Sequence, residues 1–224
     1  MIKKLAASVL TVFLFSVCTG QVSSADNVKF GFKDGFGISG HWSNQKNSQD
    51  DSVESRFTTG YLFGVTVRFT LSDALKLQPE LLYFRKGSKQ DVTIPGSPLG
   101  TLFVKYRLPY LELPVTLKWY FLRKKGSFRP NVAMGIYVAY LLKGSYTVSN
   151  PFIGDIREDI EGLKRTDMGF IFGSGVDFNL LNIEFGLQYR YSMGFVDLDL
   201  PTGPGAPTIA LRNYNHALTL AIFL

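Results

Sequence analysis

With two histidines and one cysteine in 224 residues, the chain offers few places for catalysis. A membrane-barrel lipid hydrolase or acyltransferase needs a histidine within hydrogen-bonding reach of a serine. His41, followed by Trp42 and Ser43, comes nearest to that pairing. For His216 the next hydroxyl downstream is Thr219, which falls on the opposite face of an extended strand. An interfacial aromatic belt accounts for His41 and Trp42 equally well. No catalytic residue is assigned, and the protein is not expected to be an enzyme.

Metal chemistry finds as little support. Cys18 is the only thiol, and the two histidines are far apart in sequence. Asp50 and Asp51, and the set Asp155, Glu158, Asp159 and Glu161, carry the carboxylates that calcium takes. Acidic runs of this kind are ordinarily solvated loop. Gly173-x-Gly175 would need a following helix to cradle a dinucleotide, and another strand follows instead. Neither a metal nor a cofactor is expected. Basic residues are scattered rather than clustered, so nucleic acid is not an expected partner.

The elements that position these residues begin after a leader. Lys3 and Lys4 precede an apolar stretch from Leu5 to Val17, and Ser23-Ser24-Ala25 offers a small-x-small cleavage site. Residues 1–25 read as a secretory signal peptide, leaving 26–224 as one domain. A lipidated Cys18 is the rival reading, but Phe15-Ser16-Val17 lacks the small residue expected beside it. Removing Lys3 and Lys4 lowers the net charge from +6 to about +4. The remaining chain has no cysteine for a disulfide. No later segment approaches the roughly 18 uninterrupted apolar residues of a membrane helix.

Hydrophobic residues alternate instead. From Leu181 to Ser192, Leu181, Ile183, Phe185, Leu187, Tyr189 and Tyr191 share one face of a period-2 strand. Asn182, Glu184, Gly186, Gln188, Arg190 and Ser192 share the other. The same pattern runs through Tyr110–Tyr120, Tyr61–Leu71 and Leu75–Lys86. It is noisier in Lys29–Trp42, Phe128–Leu142, Thr166–Phe178 and Asn213–Phe223. The count is eight strands. Short joins at Ser72-Asp73-Ala74, Phe121–Ser127 and Asn179-Leu180 alternate with long ones at Ser43–Gly60, Gly87–Lys105, Lys143–Arg165 and Met193–Arg212. Bacterial outer-membrane barrels show this alternation of short periplasmic turns with long outer loops. The expected fold is all-β, an eight-stranded antiparallel up-and-down transmembrane barrel. A soluble lipocalin-like carrier also has eight strands, but turns its apolar face inward.

Particular segments support a kinship. Leu77-Gln78-Pro79-Glu80-Leu81-Leu82-Tyr83 with Arg85-Lys86-Gly87-Ser88, and Tyr110-Leu111-Glu112-Leu113-Pro114-Val115-Thr116-Leu117-Lys118, resemble the Bacteroidetes-type outer membrane protein beta-barrel domain family, often called PorT-like or porin-family proteins. Gly31-Phe32-Lys33-Asp34-Gly35 and Arg190-Tyr191-Ser192-Met193-Gly194 look similar to that family's first and seventh strands. The resemblance implies an eight-stranded barrel in a Gram-negative outer membrane. It implies little about activity, because the family has no common catalytic residues and a fold does not transfer a role.

In this register Arg68, Glu80, Glu112, Lys118, Glu184 and Arg190 point into the lumen, three acids with three bases. Side chains fill an eight-stranded barrel, so these charges are expected to pair and plug it. Tyr61, Trp119, Tyr120, Phe121, Tyr189 and Tyr191 are expected at the headgroup girdles. Pro79, Pro109, Pro114 and Pro130 each remove a ladder donor, and bulges or lumen water are expected beside them. The expected partners are outer-membrane lipid and an envelope or extracellular protein. The expected role is structural or surface-interacting through the outer loops. A narrow pore, or a part of a transport or secretion assembly, is the alternative, and a lipid-modifying enzyme the third reading.

Overall fold

The computed structural model describes residues 27–42, 53–93, 100–121, 128–151, 154–160, 164–181, 183–201 and 208–224. The leader expected at 1–25 lies outside them, as do Asp50, Asp51, Glu161 and the basic turn Arg123-Lys124-Lys125. Eight long strands form a closed antiparallel ring. In ring order they are β1 (Val28–Trp42), β2 (Val53–Thr70), β3 (Leu75–Thr93), β4 (Thr101–Tyr120), β5 (Phe128–Leu141), β8 (Thr166–Leu180), β9 (Ile183–Gly194) and β11 (Thr208–Phe223). Closure comes from β11 on β1, where Gly31 pairs with Phe223 and Trp42 with Arg212. Three shorter strands sit on the end away from the short turns. β6 (Ser145–Asn150) and β7 (Gly154–Asp159) make a hairpin that adds to β4, and β10 (Leu198–Pro201) pairs with the start of β11.

Sidedness separates a membrane barrel from a soluble one. On β1 the inward positions hold Lys33, Ser39 and His41, all buried, while Phe30, Phe32 and Phe36 stand outside, Phe36 being 76% exposed. Leu81, Leu111, Leu113, Met134, Ile136, Phe170, Phe172, Leu187, Leu218 and Leu220 continue this apolar exterior around the ring. A soluble carrier would present the opposite arrangement. Such a belt has no place in water and matches the lipid-facing band of an outer-membrane barrel. One position breaks it. Asp34 faces outward between Phe32 and Phe36 and pairs in register with Phe63 and Leu220, at mid-height in the belt.

Above the belt, β4 reverses its sidedness. From Tyr110 to Tyr120 the outward residues are apolar. From Val104 to Leu108 the inward residues Val104, Tyr106 and Leu108 are buried and apolar, and Lys105 and Arg107 face out. The backbone ladder to β3 continues across the change, from Arg85↔Pro109 to Thr93↔Thr101. Lipid surrounds the lower part of the strand and an aqueous or headgroup layer the upper part, so the side that must be apolar switches. The strands therefore extend well past the expected ends: β2 begins at Val53, β3 runs to Thr93 and β4 begins at Thr101. Segments expected to be long loops are in large part ladder, and the join expected at 143–165 contains the β6–β7 hairpin.

The prolines sit at gaps in the ladder rather than at bulges. The β3–β4 pairing stops at Pro79↔Val115 and resumes at Leu82↔Glu112 in unchanged register, opposite Pro114. The β2–β3 pairing omits Val67 and Arg68, opposite Pro79. Pro109 lies where β5 leaves β4 and β6 takes over, and Pro130 just past the last β4–β5 pair. In each place a missing N–H costs one rung without shifting the strand. The one register shift between β2 and β3 lies elsewhere, between Phe57 and Leu62. The turn after β8 also differs from expectation: β8 runs to Leu180, and Leu181 follows it at φ 52°.

Candidate functional site

The lumen gathers the titratable side chains. Each reaches it because inward positions recur every second residue on strands whose neighbours are fixed by the ladder. Close packing of the wall depends on missing side chains at some of these positions. A Cβ on Gly135 would lie 2.1 Å from the carbonyl oxygen of Val115, too close for any other residue.

Near the turns, Arg68 forms an ion pair with Asp177 at 2.9 Å and donates to Glu184, while its guanidinium carbon lies 3.6 Å from the centre of the Phe223 ring. Lys29 reaches Glu184 at 2.7 Å and Lys76 reaches it at 3.5 Å. Lys118 lies 3.8 Å from Asp177, which also accepts the Tyr120 hydroxyl. Gln78 joins this layer to the next, accepting from Arg68 Nε at 3.3 Å and donating to Glu80 at 2.6 Å. Glu80 takes Lys33 on one oxygen and Arg190 on the other. Arg190 stands 3.9 Å from Glu112, Glu112 lies 2.8 Å from Lys86, and Lys86 lies 3.8 Å from Asp167. Asp167 accepts from Asn213 at 2.9 Å and from Tyr137 at 3.1 Å. Polar contacts thus run without a break from Glu184, near the turns, to Asp167, near the outer rim.

An apolar layer covers that rim. Tyr106, Leu108, Tyr110, Tyr137, Ala139, Leu141, Ile171 and Leu198 pack together, with Tyr146, Val148 and Ile160 against them. Leu198 belongs to β10 and Tyr146 and Val148 to β6, so the short outer strands supply part of this layer.

All six charges expected in the lumen face it. Arg68, Glu80, Glu112, Lys118 and Arg190 are buried, and Glu184 is half-buried at the turn end. Six charged partners were not in that expected set: the buried Lys33, Lys76, Lys86, Asp167 and Asp177, and the more exposed Lys29. Lys33, Lys76 and Lys86 share an inward face with residues that the alternation does assign, so parity along β1 and β3 was the available signal. Tyr120 is a correction. It is 1% exposed and bonds Asp177 inside, whereas Trp119 is 57% exposed and faces the bilayer with Phe121. Tyr61, Tyr189 and Tyr191 face outward towards the opposite end of the belt, so two aromatic levels do occur.

His41 is a second correction. It turns inward, and its Nδ1 lies 2.7 Å from Ser88 Oγ, with both residues buried. A lipid-cleaving pair must meet the bilayer, and the strand wall separates this one from it. His216 does face the bilayer, and its hydroxyl partner comes from the neighbouring strand: Tyr189 Oη lies 2.6 Å from His216 Nδ1. The outer acids are engaged singly, Glu158 by the Tyr146 hydroxyl and Asp159 by Lys143 at 2.8 Å. Among the described residues no group of three His, Cys, Asp or Glu side chains could hold a metal ion.

The model of the outer membrane protein beta-barrel domain matches residues 20–200 of the sequence. The chain belongs to that family. Its place is the outer membrane of a Gram-negative bacterium. No curated protein matches the sequence. Among solved structures the chain is similar to the outer membrane protein OprG from Pseudomonas aeruginosa, with 12% identity, 88% of this chain and 96% of that one covered, and a TM-score of 0.53. That likeness bears on the fold alone. Neisserial surface protein A is similar at 11% identity over 86% of this chain and 96% of that one, with a TM-score of 0.45.

Proposed function

We propose that this family member is a closed, rigid barrel whose role is to hold its outer strands and loops at the cell surface for contact with an envelope or extracellular partner. The observation that carries the reading is the run of polar contacts from Glu184 through Arg68, Gln78, Glu80, Arg190, Glu112 and Lys86 to Asp167, with the apolar layer around Leu198 above it. Opening a water column through such a lumen requires separating several buried ion pairs at once, each costing several kcal/mol when broken on one side. The β6–β7 hairpin, built onto β4 by backbone hydrogen bonds, is a stiff surface platform rather than a loose connection.

Planar-bilayer recording tests this directly. Purified wild-type protein should insert without steady conductance. A stable, large conductance from the monomer would overturn the closed lumen and favour the pore reading.

A further inference from the structure

The outward face of β3 and β4 just above the lipid belt is basic. Lys89 and Lys105 are direct cross-strand partners, and Arg107 follows two residues on, opposite Gly87. Arg85 lies below them at the girdle, its guanidinium carbon 4.7 Å from the centre of the Tyr61 ring. Tyr61 stacks on Tyr83, the last aromatic on the outward face of β3 before Arg85. We propose that Arg85, Lys89, Lys105 and Arg107 form a docking surface for the phosphate groups of the outer-leaflet lipid around the barrel.

Three observations converge. First, like charges directly opposite on neighbouring strands destabilise a sheet. None of these four cations has a carboxylate partner among the described residues. Two cations elsewhere on the outer part of the barrel do: Lys143 pairs with Asp159 at 2.8 Å and Arg212 with Asp197 at 2.7 Å, while Arg157 and Arg165 each donate to a hydroxyl. Second, the Lys105 ammonium is held below its ordinary pKa by partial burial and by the charges of Arg107, Lys89 and Arg85, as expected where an anion is wanted. Third, the height is right. Arg85 adjoins the girdle, and Lys89 lies four residues further along a tilted strand, roughly 10 Å higher. That range spans the headgroup layer, about 5–8 Å deep on each side of the hydrocarbon. The side chains point sideways into that layer rather than up from the barrel tip. Phosphate-bearing lipid is therefore favoured over a soluble sulfated polysaccharide. Arg supplies forked donors and Lys point charges for phosphate oxygens.

The proposal does not depend on whether the lumen conducts. The test uses the full barrel in phosphatidylcholine vesicles containing lipopolysaccharide, either native or chemically dephosphorylated. The wild type should melt at a higher temperature with the phosphorylated form, and should retain it through purification. A Lys89→Gln, Lys105→Gln, Arg107→Gln triple variant should lose that rise and retain at least about tenfold less lipopolysaccharide, given the attraction of each basic side chain to an anionic surface. In phosphatidylcholine alone the variant should melt no lower than wild type, which shows that it folds. A Lys143→Gln control should behave as wild type. The rise should shrink at high salt. Equal rises in wild type and triple variant would overturn the proposal, as would a rise indifferent to dephosphorylation. Capture of soluble heparin fragments by the patch without any lipid effect would also overturn it and assign the patch to a sulfated polysaccharide.

Discussion

Lys86 and Glu112, on neighbouring strands, meet at 2.8 Å with both side chains sealed from solvent. The Lys86 ammonium also lies 4.5 Å from the centre of the Tyr137 ring. Replacing Glu112 with Leu removes the nearest carboxylate and leaves a buried cation poorly matched. The expected loss is about 3–5 kcal/mol in urea unfolding from vesicles. A Lys86→Met, Glu112→Leu double variant should recover part of it, because the cation facing Glu112 is gone and Arg190 keeps Glu80, while Asp167 is left with the neutral donors Asn213 and Tyr137. A double variant as unstable as the single one would show that the pair matters through its shape and not its charge.

Asp34 stands in the lipid-facing belt with apolar side chains beside it. A charged side chain there opposes insertion, by less for an acid than the roughly 2–4 kcal/mol measured for Arg or Lys at the midplane. Asp34→Leu should therefore stabilise the isolated barrel in phosphatidylcholine vesicles by about 1–2 kcal/mol. A loss of stability on the same substitution would mean that Asp34 makes a contact the isolated chain depends on.

Leu181 holds a left-handed backbone at the tip of the β8–β9 turn, with its side chain exposed. A left-handed conformation costs a residue with a bulky Cβ substituent about 1 kcal/mol, and Asn tolerates it. Leu181→Asn should raise stability by about 0.5–1 kcal/mol, read as a later urea midpoint at unchanged slope. No gain would point to a compensating contact of the Leu181 side chain with the headgroup layer.

Orientation is tested on intact cells. Both ends of the ring and the short turns should face the periplasm, and the β6–β7 hairpin should face outside. Surface trypsin should cut at Lys164 or Arg165, both exposed and lying between the end of β7 and the start of β8. Cleavage at Arg123-Lys124-Lys125 instead would invert the barrel.

The ring was legible wherever one face of a strand met lipid and the other met charge. β9 and the lower half of β4 show this alternation cleanly, and their inward Glu112, Lys118, Glu184 and Arg190 could be read from parity. β5 and β8 hide theirs. The inward side of β5 holds Ala133, Gly135, Tyr137, Ala139 and Leu141, and that of β8 holds Gly169, Ile171, Gly173 and Gly175. These small or apolar residues make room for Lys86, Arg190 and Gln188 from other strands, so both faces look alike in sequence. Asp167 and Asp177 were lost in that noise. The upper halves of β3 and β4 are hidden for a different reason: their sidedness inverts at Pro109, so the apolar-out alternation of the lower halves ends there. Tyr120 was misplaced because an aromatic at a strand end suits either a girdle or a hydrogen bond to a buried acid.

The seam between β1 and β11 also sets an order of events. The first strand of the ring finds its second neighbour only in the last, with Gly31 waiting for Phe223 nearly the whole length of the chain away. Until β11 arrives, β1 and β9 each present an open row of backbone donors and acceptors, and neither can be satisfied in hydrocarbon. Neighbouring hairpins alone therefore leave two edges unmatched, and the ring is sealed only by a pairing that spans nearly the whole sequence, the kind of long-range contact that slows folding.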